Sequence, residues 1–399
     1  SEAAFHQCGR YNECGGLPAP EQRRDGTLWP CPQWAGAAGC RNSRLSGGLL
    51  QPAGQRNGQA DEDGEYLFHP LVFDELAAEE KESQSAIVSV PKKIAELCER
   101  EVWQVNLLQY LFLEDFYTVG CRKIQNNAAL PSDNKKGEYS FLKPTVNYWY
   151  ADPFVLEKGG KTYIFVEAYN LWLAKGEIGV TLFENERFSP VKSIIVKEFH
   201  MSYPNVFEWN SKVYMIPETS AANQIQLYEA TDFPYSWTLK KVLVDHIKVV
   251  DTSVLRTKGG KLIIYSKENC DNGEVLWFQL EDDLSARRID VSRVAQERPG
   301  GNPIHLQNEI FRPLQDCQKC YGNRLLLYKM NSDFNKPEAL AQIVDSNCIS
   351  NIPNRKYNKV HTINRSDNYE VIDAHGDFID KIKAFRKVFR KLRMLLTRD

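Results

Sequence analysis

The chain has 399 residues, of which 42% are hydrophobic and 26% are charged, and its formal net charge is −2. This length suits two or three ordinary domains or one large β domain with extensions, and the composition is that of a soluble globular protein. The near-neutral charge gives no reason to expect nucleic acid as a partner. The sequence contains no run of about 18 apolar residues, the length that a membrane-spanning helix needs.

The first 83 residues are rich in Gly, Ala, Gln, Arg and Pro and show no periodicity, so we predict a poorly structured extension over residues 1–83. They contain neither the charged nor the apolar region of a signal peptide. We therefore expect a cytoplasmic protein, unless upstream sequence supplies a targeting segment. Four cysteines of this extension fit no common zinc spacing, and a single CxxC pair has no second pair, so neither group predicts a metal or redox site: Cys8, Cys14, Cys31 and Cys40; Cys317 and Cys320.

Residues 84–112 form a predicted helical segment, because SVPKKIAELCEREVWQVNLLQYL carries apolar residues near i, i+3 and i+4. Pro91 suits its first turn. From there the character changes, and DFYTVGCRKI is typical of a first strand. Short β-branched and aromatic segments with turn signals every 8 to 12 residues then continue, so residues 113–375 form a predicted all-β domain.

This β domain contains a repeated hairpin pattern, in which a polar or aromatic residue leads an apolar strand, a tight turn, a second apolar strand and a polar residue. The copies are DPFVLEKGGKTYIFVE from Asp152, YPNVFEWNSKVYMIPE from Tyr203 and DTSVLRTKGGKLIIYSK from Asp251, with looser copies NPIHLQNEIFRPLQD from Asn302 and HTINRSDNYEVID from His361. Five copies at spacings of about 50 residues predict a five-bladed β-propeller.

In a propeller, the leading residue of each innermost strand and the trailing residue of the next strand lie at the same mouth of the central channel. The predicted neighbours are Asp152 with Glu167, Tyr203 with Glu218, Asp251 with Lys267, Asn302 with Asp316, and His361 with Asp373. A single leading Asp is commonly a turn cap that binds backbone N–H groups. A cluster of carboxylates favours a functional site instead, because repulsion and desolvation raise their pKa values.

Several stretches together resemble the propeller at the N-terminus of plant glucosamine inositolphosphorylceramide transferases, over roughly residues 110–375: WYADPFV, YIFVEAY, HMSYPNVFEWNSKVYMIPETSAANQIQLYEATDFPYSW, VVDTSVL, IFRPLQDCQKCYGN and HTINRSDNYEVID. Bacterial proteins of polysaccharide and lipid-sugar biosynthesis share this domain. In the plant proteins the recognised glycosyltransferase domain is a separate C-terminal unit. The resemblance therefore implies the fold and a glycan context rather than a catalytic activity.

The layout is also similar to five-bladed propeller glycosidases of the arabinanase and fructosidase type. Those enzymes use an Asp on the first blade as base or nucleophile, an Asp on a middle blade to tune pKa values, and a Glu as acid. Asp152 and Asp251 match the first two positions. The acid usually follows the middle Asp, whereas Glu218 precedes Asp251 here, and this departure counts against hydrolysis.

The first functional hypothesis is a glycosyltransferase-type enzyme of glycan or glycolipid biosynthesis, with Asp152 as base or nucleophile, Glu218 as acid and Asp251 tuning them. The residues predicted to bind a sugar or lipid-linked sugar are Glu167, Tyr203, Lys267, Asn302, Arg312, Gln315, Asp316 and His361. No DxD element or phosphate-binding loop is visible, so we expect no metal and no cofactor. The alternatives are a non-catalytic carbohydrate-binding propeller that supports a partner glycosyltransferase, and a glycosidase.

The last segment, residues 376–399, is a predicted basic amphipathic helix. Seven basic residues and no acidic residue lie between Lys381 and Arg393, while five apolar residues share one helical face: Ile382, Phe385, Phe389, Leu392 and Leu396. Such a helix is typical of binding to an anionic membrane surface, here through residues 379–396. The alternative is a helix packed on the propeller or a partner with its charges solvated.

Overall fold

The computed structural model describes residues 107–396, apart from short gaps at 127–128, 132, 134–137, 271, 292–293 and 332–337. The predictions for residues 1–83 and for most of 84–112 lie outside the described residues, although residues 107–112 are helical. The chain divides into two compact units, and the unit that includes Leu111–Asp399 holds all the strands described below.

The described strands form five antiparallel sheets, so the prediction of an all-β, five-bladed propeller is confirmed. The chain begins with β1 (Leu113–Lys123) and β2 (Ser140–Leu142), which belong to blade 5. Blade 1 contains β3 (Tyr148–Lys158), β4 (Lys161–Asn170), β5 (Lys175–Glu184), β6 (Arg187–Phe188) and β7 (Lys192–Ile195). Blade 2 contains β8 (Ser202–Trp209), β9 (Lys212–Glu218), β10 (Gln224–Asp232) and β11 (Ser236–Asp245).

The remaining blades follow in chain order. Blade 3 contains β12 (Val249–Arg256), β13 (Leu262–Glu268), β14 (Val275–Leu280) and β15 (Ala286–Ile289). Blade 4 contains β16 (Arg298–Pro299), β17 (Ile304–Leu306), β18 (Glu309–Asp316), β19 (Arg324–Met330) and β20 (Ala339–Val344). Blade 5 adds β21 (Ile363–Arg365) and β22 (Tyr369–Ile379), and helix α1 (Lys383–Leu396) follows it.

The turns of the repeated hairpins explain why these short segments pair. Gly159 and Gly160 connect β3 to β4 with φ values of 60° and 73°, and Asn210 and Ser211 connect β8 to β9 with φ values of 48° and 62°. Two successive residues of positive φ are what a two-residue type I′ hairpin turn requires, and Gly and Asn adopt them readily. The sequence signal for each blade is therefore local.

Blade 5 closes the ring with strands from both ends of the described chain. β1 pairs with β22 along its whole length, from Leu113 opposite Ile379 to Lys123 opposite Tyr369. Because β22 continues to Ile379, residues 376–379 belong to the blade rather than to the predicted C-terminal helix, which begins only at Lys383.

The innermost strands of blades 1 to 3 share a β-bulge near their first residues. The register shifts just after Ala151, Ser202 and Val250, and the bulged residues Asp152, Tyr203 and Asp251 have φ values of 49°, 48° and 54°. This left-handed conformation is uncommon for residues other than Gly, and a bulge bends the strand. The bulges therefore re-aim the side chains that lead each predicted repeat.

In blade 4 the positive φ falls on Gly301 (138°), one residue before the predicted lead residue Asn302. Asn302 instead acts as a bridge between blades, since its side chain binds Asn205 and accepts a hydrogen bond from the N–H of Val254. A Cβ atom on Gly301 would lie 1.9 Å from the carbonyl oxygen of Ile363 in blade 5. The close approach of blades 4 and 5 thus requires a glycine.

We expect Gly301→Ala to lower the free energy of unfolding by about 2 kcal/mol, because the methyl group meets backbone at a conformation that L residues avoid. Urea unfolding followed by tryptophan fluorescence measures this. Gly259→Ala is the matched control, since its added Cβ meets only the hydroxyl of Thr257, at 4.0 Å. Equal losses in the two variants would contradict the close contact.

Hydrogen bonds join the bulges from blade to blade. The carboxylate of Asp373 accepts the N–H of Asp152 (3.0 Å), and the carboxylate of Asp152 accepts the N–H of Tyr203 (3.2 Å). The hydroxyl of Tyr203 lies 2.7 Å from that of Ser253, which donates to the carbonyl of Gly301. These buried bonds satisfy backbone groups that the bulges remove from the strand ladders.

Candidate functional site

The candidate site lies where the first residues of the inner strands meet the last residues of their hairpin partners. The structure brings together the three carboxyl groups predicted to be catalytic, from three different blades. Arg298 joins two of them, since its Nη2 lies 2.9 Å from Oδ1 of Asp251 and 3.4 Å from Oε2 of Glu218. Asp152 is close enough for the charge of Asp251 to raise its pKa.

Asp251 is held by donors on two sides. The Nε and Nη2 groups of Arg298 both contact its carboxylate, and the side-chain amide of Gln315 donates to Oδ2 at 2.9 Å. A two-pronged guanidinium contact of this kind fixes a carboxylate in one orientation. The ring of Tyr321 lies 5.3 Å from the guanidinium carbon of Arg298, which positions the cation from its other side.

The surroundings of Glu218 favour its protonated form. Burial raises the pKa of its carboxyl group well above the ordinary value, and the charge of Asp251 raises it further, while Arg298 opposes the shift. A protonated Glu218 can therefore donate a proton beside a carboxylate that is fixed by arginine.

Asp152 has a different environment, beside a cation. Its Oδ1 accepts the hydroxyl of Thr362 (2.8 Å) and lies 3.4 Å from Nε2 of His361. Burial raises the pKa of Asp152, His361 lowers it and Asp251 raises it, with a result of about 6. Asp152 is therefore mostly ionised at neutral pH, whereas the surroundings of Glu218 favour its protonated form.

His361 is held as a cation between two carboxylates. Its Nδ1 lies 2.7 Å from Oδ2 of Asp373, and its Nε2 faces Asp152. Burial alone lowers the pKa of His361, but Asp373 and then Asp152 raise it to about 9. Asp373 in turn accepts the N–H groups of His361 and Thr362.

Asp152, His361 and Asp373 are also the group whose geometry comes nearest to a metal site among the described residues, since their ligand atoms lie within 4.8 Å of one another. The donors already present make a metal a poor fit. Both oxygens of Asp373 accept backbone N–H groups, and both oxygens of Asp152 accept hydrogen bonds. Both ring nitrogens of His361 already face carboxylates, Nδ1 at 2.7 Å from Asp373 and Nε2 at 3.4 Å from Asp152, so an ion pair is the better description.

Glu167 forms the other side of the cluster with His200, which lies 3.5 Å away (Nε2 to Oε1). Oε1 of Glu167 is buried and has no hydrogen-bond partner among the described residues. Burial, with the charge of Asp152, raises the pKa of Glu167 well above its ordinary value. Burial also lowers the pKa of His200 to about 3, and its Nδ1 accepts the N–H of Gly176, so the neutral ring carries its proton on Nε2.

A family model described as the N-terminal region of glucosamine inositolphosphorylceramide transferase 1 matches residues 142–358 of this chain, more than half its length. The chain belongs to this family. The match confirms the resemblance that the sequence motifs suggested. It includes the three carboxyl residues Asp152, Glu218 and Asp251 and ends just before His361.

Curated relatives in this transferase family come from plants. The glucosamine inositolphosphorylceramide transferase 1 of Oryza sativa subsp. japonica is 30% identical over 195 residues, which cover 45% of this chain and 26% of the relative. The Arabidopsis thaliana protein of the same name is 28% identical over 194 residues, which cover 45% of this chain and 25% of the relative. The chain thus matches about a quarter of the length of these relatives.

Solved structures that are similar to this chain include two glycoside hydrolases. One is a family-43 β-xylosidase/α-arabinofuranosidase from a compost metagenome, with 10% identity and a TM-score of 0.45 over 60% of this chain and 93% of the other. Another is an α-L-arabinanase of Cellvibrio cellulosa, with 13% identity and a TM-score of 0.40 over 59% of this chain and 91% of the other.

Some of the residues that were predicted to bind substrate lie away from the cluster of Asp152, Glu218 and Asp251. Arg312 is fully buried, its guanidinium carbon lies 5.0 and 5.1 Å from the centroids of the stacked rings of Tyr265 and Trp277, and it pairs with Glu338. Arg312 therefore packs blade 3 against blade 4. Lys267 is also directed elsewhere, since its ammonium group donates to backbone carbonyl oxygens of two loops.

Two other predicted binding residues serve local structure. Asp316 accepts the N–H of Gln318 and pairs with Arg324 at 2.7 Å, which closes the turn after β18. The side chain of Tyr203 is fully buried, with its ring edge against Phe154. Gln315, Glu167 and His361 are the predicted binding residues that contact or face the carboxyl cluster.

The sequence pattern did not reveal Arg298, His200 or Tyr321. Arg298 precedes the Pro-Gly-Gly stretch before the fourth repeat copy, and His200 precedes the second copy by three residues. A basic residue just upstream of two repeat copies was the available signal. Trp149, one of the aromatic residues beside the first repeat copy, stacks on Tyr169 (4.2 Å between centroids) and packs against Tyr117.

Proposed function

We propose that the carboxyl cluster is the acid–base site of a glycosyltransferase-type protein that acts on a sugar or lipid-linked sugar in glycolipid biosynthesis. The observation that carries this proposal is the different surroundings of two buried carboxyl groups: Asp152 lies 3.4 Å from Nε2 of His361, and Glu218 lies beside Asp251 with Arg298 3.4 Å away. Asp152, with a pKa of about 6, is mostly ionised at neutral pH, and burial and the charge of Asp251 raise the pKa of Glu218 well above its ordinary value. Environments that push two carboxyl pKa values apart assign a base and an acid.

Glycosyl transfer needs both groups. The acceptor hydroxyl loses a proton, which Asp152 takes up, and the oxygen of the leaving group gains one, which Glu218 gives. The charge of Asp251 keeps the proton on Glu218, and Arg298 keeps Asp251 in place. In this proposal Asp251 has the tuning role that the similarity to propeller glycosidases implies.

The family supports the substrate class. The names of the curated relatives refer to glucosamine, to inositolphosphorylceramide and to a transferase. A sugar joined to a phosphate-bearing lipid is therefore the class of substrate that we propose for this chain. Because the match covers only a quarter of each relative, a non-catalytic, sugar-binding propeller beside a partner transferase is the second candidate. The burial of all three carboxyl groups favours that candidate.

We expect Glu218→Gln and Asp152→Asn each to reduce transfer at least about 100-fold, since a general acid or base contributes roughly 10² to 10⁴. Binding of the same sugar should change less than about fivefold, because each substitution keeps the shape of the side chain. Transfer is measured by mass spectrometry with nucleotide sugars as donors and inositolphosphorylceramide as acceptor. Binding is measured by saturation-transfer NMR.

Glu208→Gln is the matched control, because Glu208 lies on the same blade as Glu218 but is exposed at the surface, where its carboxylate pairs with Lys158. It should leave transfer unchanged. Sugar binding without transfer in the unmodified protein would favour the binding module. Release of the sugar from aryl glycosides to water would favour a glycosidase.

A further inference from the structure

Helix α1 turns its basic side toward the propeller, which is the reverse of an ordinary surface helix. The ammonium group of Lys383 contacts the carbonyl of Leu113 and lies 3.3 Å from Glu114. Arg386 is buried and pairs with Asp380, and Arg390 donates to the carbonyl of Leu171 at 2.8 Å. Backbone carbonyls and carboxylates therefore hold the helix by its cations.

The apolar side of α1 is largely exposed. Six apolar side chains on this side are 40–79% exposed: Phe385, Val388, Phe389, Leu392, Leu395 and Leu396. At roughly 100° per residue they form one continuous stripe opposite Lys383, Arg386 and Arg390. We call this set the apolar stripe. Large contiguous apolar patches on a protein surface mark contact with a protein or a membrane.

The apolar stripe continues onto the propeller. The ring of Trp172 in blade 1 meets the rings of Phe385 and Phe389 edge to face, with centroids 6.0 and 5.4 Å apart. Ile379 and Ile382, just before the helix, are 68% and 41% exposed. The exposed apolar surface is therefore held in a fixed orientation on a rigid blade.

Cations flank the apolar stripe. Lys391 and Arg393 are exposed and project to either side of it, Lys381 is exposed just before the helix, and no acidic residue occurs in residues 381–396. A second copy of the same face would bring these like charges together without a compensating acid. An anionic lipid surface complements both the apolar stripe and its basic edges.

We propose that α1 attaches this protein to the surface of an anionic lipid bilayer, with the apolar stripe inserted at the boundary between headgroups and acyl chains. Lys381, Lys391 and Arg393 then lie at the level of the lipid phosphates. The proposal rests on the helix alone and does not depend on the function of the carboxyl cluster. The described residues contain no helix with the length and hydropathy to cross a bilayer.

Co-sedimentation of the full chain with vesicles tests the proposal. We expect binding to vesicles of phosphatidylcholine with about 30% phosphatidylserine to be at least about tenfold tighter than to phosphatidylcholine alone, and to weaken as salt rises. The triple variant Val388→Gln/Leu392→Gln/Leu395→Gln should bind at least about tenfold more weakly. These positions are exposed, so the fold should be unaffected, and circular dichroism checks this.

The double variant Leu239→Gln/Leu340→Gln is the control, because both leucines are about half exposed on outer strands of blades 2 and 4. It should bind vesicles as the unmodified protein does. Equal binding to the two vesicle types, or none to either, would overturn the proposal. The proposal would also be overturned if light scattering showed that the unmodified protein is a dimer and the triple variant a monomer, while neither binds vesicles.

Discussion

Glu370→Gln should lower the free energy of unfolding by about 3–5 kcal/mol, the loss expected when one partner of a buried ion pair is removed. The carboxylate of Glu370 is fully buried and is shared by Arg122 (Nε at 2.8 Å) and Arg365 (Nε at 2.6 Å). It also accepts the hydroxyl of Tyr139. A glutamine would leave two buried cations without a counter-charge and turn an amide donor toward other donors.

The effect is large because this carboxylate joins the closing strands. Arg122 lies on β1, Arg365 on β21 and Glu370 on β22, so the cluster links both ends of the described chain within blade 5. Urea unfolding followed by circular dichroism measures the loss. Glu229→Gln is the matched control, because Glu229 also contacts two cations, Lys212 and Lys240, but both lysine side chains are about half exposed.

The control should lose less than about 1 kcal/mol, which is typical of surface ion pairs. Similar small losses in both variants would show that blade 5 is closed by strand pairing alone. A large loss in Glu229→Gln would show instead that the substitution itself, rather than burial, sets the cost.

The second large expected effect is a pH dependence that originates at His361. Its pKa is raised from 6.5 to about 9 in the folded protein, so the stability that it contributes is fully present below pH 6.5 and is lost as pH rises through 9. At about 1.36 kcal/mol per pKa unit, the loss over this window is about 3 kcal/mol.

The comparison uses the double variant His361→Gln/Asp152→Asn. Asp152 is replaced together with the histidine because, without the neighbouring cation, this carboxyl would take up a proton in the same pH range. Lys387 has a pKa lowered to about 8, chiefly by burial, and contributes an opposite slope. It is present in both proteins, so its contribution cancels in the difference.

We therefore expect the stability difference between the unmodified protein and the double variant to shrink by about 3 kcal/mol as the pH rises from 6.5 to 9. Urea unfolding at several pH values across this window measures it. A difference that stays constant would mean that His361 is neutral in the folded protein. The ion-pair description of the Asp152, His361 and Asp373 group would then be wrong.

The blades could be predicted because their signals are local. Each hairpin carries its own turn residues and alternating strands, so copies such as those at Asp152 and Asp251 can be aligned by eye. The role of β1 as the partner of β22 could not be predicted in this way. That pairing joins Leu113 to Ile379, and neither segment carries a sequence pattern that identifies the other as its partner.

The candidate site likewise contains residues that the sequence reveals and residues that only the fold brings in. Asp152, Glu218 and Asp251 could be found because they stand at repeated positions, whereas Arg298 stands between copies and reaches the site through three-dimensional folding. Arg312 and Gln315 were both predicted to bind the sugar, but the structure separates them. The two residues are three apart on β18, so their side chains lie on opposite faces of the strand, and of the two only Gln315 contacts Asp251.

The closure of blade 5 has a mechanical consequence. Leu113 and Ile379 are paired neighbours, so the polypeptide enters and leaves the ring at the same place. Tension applied there would act along the inter-strand hydrogen bonds, which run perpendicular to antiparallel strands. The hydrogen bonds between β1 and β22 would therefore break one after another. They would not resist together, as they do when force is applied along the strands.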